Sequence, residues 1–364
     1  MRIVLEAPDV KRIGPMYVGD RRRLATVTSV AFVGDDHLVA AHLLGCTLFL
    51  IKYDVESLTT KRTRVSDGDG AAAATCDLAT QTHSIVDTIQ TTYGGKPVIT
   101  DLLDYEPITK QIVVSNFDGE SGTLYRLIDT ADGACRLEHV RDLPIPKQYR
   151  GKCHGAKFYD PNTACLTSRQ AQALVFIDTE TAKCKCVLRL TVTPQDVAFV
   201  DKTHALVISN LSRSPTRGEH KPYVAALVYY EIDVDGARAT ELHRITFDDS
   251  HFDSVVVDGQ RSESAYKSME ERSDDSAYAA DSAKRSERRA LSIQRQRVSV
   301  RVYMTNQYRD VVNVVDLIDN TLVKRTELTG YSFPHGLSVA PSGTGDMLAV
   351  TNYGTSSIML SPLQ

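Results

Sequence analysis

Four side chains in this chain invite chemistry: His154, His251, Asp253 and His335, each standing at the start of a short apolar run. Imidazole titrates near neutral pH and, when neutral, binds zinc. His154 and His335, with His251 or Asp253, therefore suit general acid–base work, and they form the candidate catalytic set. The same two imidazoles and the Asp253 carboxylate are also candidate ligands for a divalent metal, zinc or calcium. No H-x-x-H, H-E-x-x-H or H-x-H phrase occurs, so a metal site would have to be assembled from distant parts of the chain.

A second set closes a series of apolar runs. LVAAH ends at His42, IVVSN at Asn116, CLTSR at Arg169, LVISN at Asn210, VYMTN at Asn306 and LAVTN at Asn352. An asparagine ending a strand can cap the following loop with its own side chain. The two departures, His42 and Arg169, are then the informative positions, since a guanidinium can grip an acidic group in a bidentate manner. With Thr100 and Gln195, these six residues make the candidate substrate-binding set. Basic residues crowd the neighbouring loops, among them Arg21, Arg22, Arg23, Lys152, Arg213 and Lys221. In a chain of formal charge −4 that clustering points to a small anionic ligand. Aromatic residues are sparse among these basic ones, so no nucleic-acid partner is expected. Cys153 precedes His154 directly, and adjacent residues on a strand face opposite ways, which makes a Cys–His nucleophile pair geometrically poor. No G-x-S-x-G elbow, P-loop or dinucleotide fingerprint occurs.

These residues sit on six like units. The first runs begin at Thr28, Thr100, His154, Gln195, Asp253 and His335, and the second runs are those above. Third runs follow a polar loop, five of them closing on Asp54, Asp129, Asp178, Asp233 and Asp316. Fourth runs, such as LEHVRDL and KCVLRLT, are more polar, as suits an outer edge that meets water. Four antiparallel strands per unit make a propeller blade. The last unit has only three, while a run from about Arg2 to Val10 is left over. The expectation is an all-β, six-bladed β-propeller, closed by the N-terminal strand completing the C-terminal blade, which removes a free sheet edge. The chain reads as a single domain, 1–364. Residues 64–83 read as a long loop. Residues 260–297, rich in serine, arginine and acid, read as an inserted loop in blade five, partly helical or disordered. The basic end of that insertion is a candidate dock for a protein partner.

The phrases VTNYGTSSIML, VSNFDGESGTLYRLID and NVVDLIDN resemble those of lactonase-like and NHL-like six-bladed propellers. The resemblance implies a hydrolase or lyase acting on an anionic lactone, sugar acid or similar substrate at the mouth of the channel. In the gluconolactonase branch a Glu-Gly-Pro-like phrase opens the first blade and its Glu binds a metal; this chain has Thr28-Ser29-Val30 there. The NHL-type peptidyl-amidoglycolate lyases hold zinc with three channel histidines, a comparison the histidines here invite. The fold equally hosts non-catalytic ligand- or protein-binding scaffolds. Tryptophan is absent, which argues against WD repeats. No apolar run is long enough to span a membrane, and no secretion leader precedes the first unit. With no C-x-x-C among its seven cysteines, the chain reads as a cytoplasmic protein with reduced thiols and no membrane partner.

Overall fold

The computed structural model describes residues 2–4, 27–43, 45–53, 83–131, 133–211, 224–258, 300–340 and 347–363. The 260–297 insertion, residues 64–82, Asp54 and the basic residues Arg21, Arg22, Arg23, Arg213, Arg217 and Lys221 lie outside the described residues.

Six four-stranded antiparallel sheets follow one another along the chain. Blade one comprises Val27–Val33, His37–His42, Thr47–Tyr53 and His83–Gln90, and blade two Thr100–Glu106, Gln111–Asn116, Ser121–Asp129 and Cys135–Pro144. Blade three comprises Cys153–Asp160, Thr163–Ser168, Ala173–Asp178 and Cys184–Arg189. Blade four comprises Asp196–Phe199, His204–Asn210, Val224–Asp233 and Arg238–Asp248. Blade five comprises Phe252–Asp258, Val300–Asn306, Val311–Ile318 and Thr321–Leu328. Blade six has Pro334–Val339, Met347–Asn352 and Ser357–Pro362, and its fourth strand is Arg2–Val4. The pairing Arg2↔Met359, Ile3↔Ile358, Val4↔Ser357 closes the ring as the sequence leads one to expect. Among the described residues no helix is long and apolar enough to cross a membrane.

Alternation along each inner strand explains why the blades form a ring. Leu38 and Ala40 join the apolar cluster between blades six and one, while Val39 and Ala41 join the cluster between blades one and two. Successive side chains on a strand face opposite ways, so a strand buried on both faces serves two interfaces at once. The same division recurs around the ring, with one apolar cluster at each blade interface.

In blades two, three, five and six the Ser/Thr that precedes the strand-ending residue straps its blade to the next, while blade one has Ala41 there and Ser209 Oγ of blade four has no hydrogen-bond partner among the described residues. Ser115 Oγ donates to the His154 carbonyl (2.5 Å), Thr167 Oγ1 to Gln195 (3.2 Å), Thr305 Oγ1 to His335 (2.7 Å) and Thr351 Oγ1 to Thr28 (3.1 Å). Each of these hydroxyls also accepts a backbone N–H from its own first strand: Leu102, Gly155, Ser254 and Gly336. A hydroxyl can do both at once, which is why the position takes Ser or Thr.

Five first strands carry a register shift near their start: Val27/Ser29, Thr100/Leu103, Cys153/Ala156, Phe252/Val255 and Pro334/Leu337. Such a bulge re-aims a side chain at the end of a strand. Matching the shifts puts Thr28, Asp101, His154, Asp253 and His335 at one equivalent position. This corrects the sequence reading at two places. In blade two the equivalent residue is Asp101, because Thr100 pairs in register with Asn116. In blade three the strand-ending sibling of the asparagines is Ser168, paired with Cys153, and Arg169 stands one residue beyond. A bulge of one residue leaves the apolar pattern of a run unchanged.

Gly336 lies where blade six meets blade one. A Cβ there would sit 2.5 Å from the Thr28 carbonyl oxygen and 2.6 Å from Ser29 Cα. Both are backbone atoms of the neighbouring blade, so neither can rotate away. Gly336→Ala is expected to cost about 1–3 kcal/mol by overpacking. The check is a lower urea midpoint with the m-value unchanged; an unaltered midpoint would contradict the close approach.

Candidate functional site

The bulges bring together residues that are far apart in sequence. His154 Nε2 lies 3.3 Å from Asp101 Oδ2 and 3.4 Å from Asp253 Oδ1. His251 Nε2 is 3.5 Å from the same Asp253 oxygen, and His335 Nε2 is 3.5 Å from Asp101 Oδ1. The His154 and His335 rings, from blades three and six, stack with centroids 5.7 Å apart. All of these side chains are buried except His251, whose side chain is 27% exposed and connects the cluster to water.

Charge and burial compete here, and the charges win. Burial pushes the Asp253 carboxyl up, but His251 and His335 and the hydrogen bonds from His154 and His251 hold it well below the usual carboxylate range. Burial pulls the His154 imidazole down, yet Asp101 and Asp253 together raise it above its ordinary value. Both shifts favour the ionised pair, Asp253 carboxylate and His154 imidazolium. His335 is fixed differently. Its Nδ1 lies 2.9 Å from the Thr28 carbonyl oxygen, which can only accept, so Nδ1 carries the proton and Nε2 faces Asp101.

Above this cluster stands a second ring that sequence reasoning overlooked, formed by the first residue after the second strand. The Phe117, Arg169, Gln307 and Tyr353 N–H groups donate to the Ile99, Lys152, His251 and Phe333 carbonyls respectively, which fixes their equivalence. Tyr353 stacks on His335 (5.5 Å between centroids) and Phe117 meets His154 edge-on (6.5 Å). The signal was present in the phrases Ser-Asn-Phe and Thr-Asn-Tyr, each with an aromatic after the asparagine. Arg169 is half-buried. Burial lowers its pKa, opposed by the charges of Asp253 and Asp101. Among the described residues its guanidinium has no hydrogen-bond or ion-pair partner, so its donors are available. Lys152, exposed, lies 5.0 Å above the Phe117 ring.

Of the other substrate-binding candidates, His42, Asn116, Asn306 and Asn352 are engaged elsewhere. His42 Nδ1 accepts the Gly45 N–H at 3.0 Å, and burial lowers its pKa, so it is a neutral cap. Asn116 donates to Ser121 and Thr123, Asn306 to Ser250 and Asn313, and Asn352 accepts the Ser332 N–H. These bonds cap loops, the structural role expected of a strand-ending asparagine. Asn210 exchanges two hydrogen bonds with the Phe252 backbone and reaches His251 Nε2 at 3.3 Å, so it joins blade four to the site. Gln195 and Thr100 are buried, and Gln195 Oε1 and Thr100 Oγ1 have no partner among the described residues.

No known protein family matches the sequence, and no curated protein is significantly similar to it. Solved structures are similar in shape. Hydrazine synthase from Kuenenia stuttgartiensis has 11% identity and a TM-score of 0.52, covering 97% of this chain and 99% of that one. A Lactobacillus plantarum protein has 12% identity and a TM-score of 0.48, covering 93% and 84%. The β-propeller domain of Cps50 (Swd1) from Myceliophteria thermophila has 10% identity and a TM-score of 0.48, covering 93% and 84%. What is shared is the propeller. At such identities the fold transfers and the chemistry does not.

Proposed function

We propose that this propeller is a small-molecule hydrolase or lyase that takes an anionic substrate, of lactone, sugar-acid or similar type, at the mouth of its channel. One observation carries the reading: the Arg169 guanidinium, without a hydrogen-bond or ion-pair partner among the described residues, feels the charges of an imidazole and the two buried carboxylates that hold it. In this reading Arg169 binds the substrate anion in bidentate fashion. His154, whose charged form is favoured, donates a proton to the departing oxygen. His335, with its proton fixed on Nδ1, presents Nε2 as the acceptor. An imidazole whose charged form is favoured and one whose Nδ1 proton is fixed by a carbonyl can divide acid and base roles between them. His251 and Asp253 link the buried cluster to water and allow the acid to be recharged.

The test is a panel of lactones and esters offered in pairs, each carboxylate-bearing compound beside its neutral amide counterpart. The wild-type chain is expected to turn over the anionic member of a pair in preference. Arg169→Gln is expected to raise KM by roughly 10- to 100-fold, the worth of a hydrogen bond to a charged group, with kcat little altered. Equal use of the neutral compounds, or an unchanged KM, would refute the anion clamp. Saturable binding of the anion without turnover would mean that the mouth is a ligand-binding scaffold.

A further inference from the structure

We infer that Asp101, His154 and His335 form a binding site for a divalent transition-metal ion of the zinc class. The inference rests on the same cluster as the reading above but gives His154 and His335 another part, their Nε2 atoms holding an ion in place of exchanging protons; it is read by metal alone, independently of turnover. Three blades each contribute one donor, and the three donor atoms lie within 4.8 Å of one another. With metal–ligand bonds of about 2.0–2.1 Å, ligands at tetrahedral angles stand about 3.4 Å apart. His154 Nε2 lies 3.3 Å from Asp101 Oδ2 and His335 Nε2 3.5 Å from Asp101 Oδ1, so the two imidazoles face different oxygens of the one carboxylate.

Two further features point to an ion. Asp101 is 4% exposed, yet its Oδ1 has no hydrogen-bond partner among the described residues. An ionised oxygen left bare in a buried site is costly unless a cation or donor meets it. Facing it is His335 Nε2, which in the neutral tautomer set by the Thr28 carbonyl bears a lone pair. A positive centre between the two, a metal ion or a proton on Nε2, satisfies both. A backbone carbonyl that fixes the far nitrogen of an imidazole is also the usual outer support of a metal-binding histidine. Gly336 makes that support reachable, because its lack of a Cβ lets blade six close on Thr28.

Two imidazoles and one carboxylate suit zinc, cobalt or iron(II) rather than calcium, which prefers six to eight oxygens. This assigns Asp101, which the sequence reading passed over in favour of Thr100, as the third ligand. Asp253, 3.4 Å from His154 Nε2, stands beside the site with His251.

The experiment titrates the chelator-stripped full chain with cobalt(II), followed by its visible absorption and by calorimetry, with calcium in parallel. The expected result is one equivalent of cobalt bound, and no calcium binding in the same concentration range. Asp101→Asn and His335→Gln are each expected to weaken cobalt binding on the order of 100-fold. His204→Gln, at a surface pair with Asp201, should leave it unchanged. Near-UV circular dichroism checks that each variant is folded. A second measurement uses only the wild-type chain: affinity must fall as pH drops through the imidazole range, because a protonated imidazole cannot ligate. Sub-stoichiometric binding, affinity insensitive to pH or to both substitutions, or tighter calcium than cobalt binding would each overturn the site.

Discussion

His154→Gln is expected to lower kcat for the anionic substrate on the order of 10²- to 10⁴-fold, the range a positioned acid–base group contributes. KM should change only a few-fold, because in the proposed mechanism anion capture belongs to Arg169. Glutamine is the informative replacement. Its amide can still donate toward Asp101 and Asp253, which lie 3.3 and 3.4 Å from His154 Nε2 in the native chain. An alanine would leave both carboxylates facing a void and confuse lost chemistry with lost stability. The amide neither exchanges a proton near neutral pH nor ligates a transition metal well, so the prediction holds for either role of Nε2. The measurement is steady-state kinetics on the compound the wild-type chain turns over, with a melting curve beside it. A variant retaining more than a tenth of wild-type kcat would remove His154 from the reaction.

The ring was legible in the sequence because its cause is periodic. Alternating apolar residues in runs such as Leu38–Ala41 serve two interfaces, and that alternation survives in a one-dimensional reading. Closure was legible for the same reason, since one strand was left over and one was missing. His154 and His335 could be brought together because equal units must meet at an axis. Asp101 and Ser168 were not legible. Their places depend on a bulge that adds one residue without altering the apolar pattern, so Thr100 and Arg169 were assigned in their stead. The asparagines illustrate a different limit: a side chain that caps a loop and one that binds a ligand have the same sequence signature.

The straps tie the site to the ring. Ser115 and Thr305 donate to the carbonyls of His154 and His335, and Thr351 to that of Thr28, whose oxygen also fixes His335 Nδ1. Each of these site residues is thus held through its backbone by the preceding blade. Rigid support of this kind keeps reactive side chains within the tolerance that catalysis or ligation requires. In blades two, five and six the Ser/Thr-Asn phrase therefore does two jobs, with the hydroxyl gripping the next blade and the amide capping its own, whereas in blade four the Asn210 amide itself bonds the next blade.

Asp253→Ala is expected to destabilise the fold by about 3–5 kcal/mol, since removing one member of a buried ion pair strands the other. Asp253 is 3% exposed and faces both His154 and His251. The pH dependence separates this cause from simple loss of volume. The Asp253 pKa is depressed from 3.8, so its contribution is complete above that value and is lost as pH falls through the folded-state pKa. The His154 pKa is raised from 6.5, so its contribution is complete below that value and is lost as pH rises through the folded-state pKa. Both contributions are full only in the window between 3.8 and 6.5. The difference between wild type and variant should therefore be greatest near pH 5.5 and smaller at about pH 3 and about pH 8.5. On the acid side the variant lacks the Asp253 limb entirely. On the alkaline side it keeps only the share of the His154 limb that Asp101 supports. Urea unfolding at the three pH values measures this directly. A stability difference that stays constant across them would show that Asp253 fills space and that its charge does nothing for the fold.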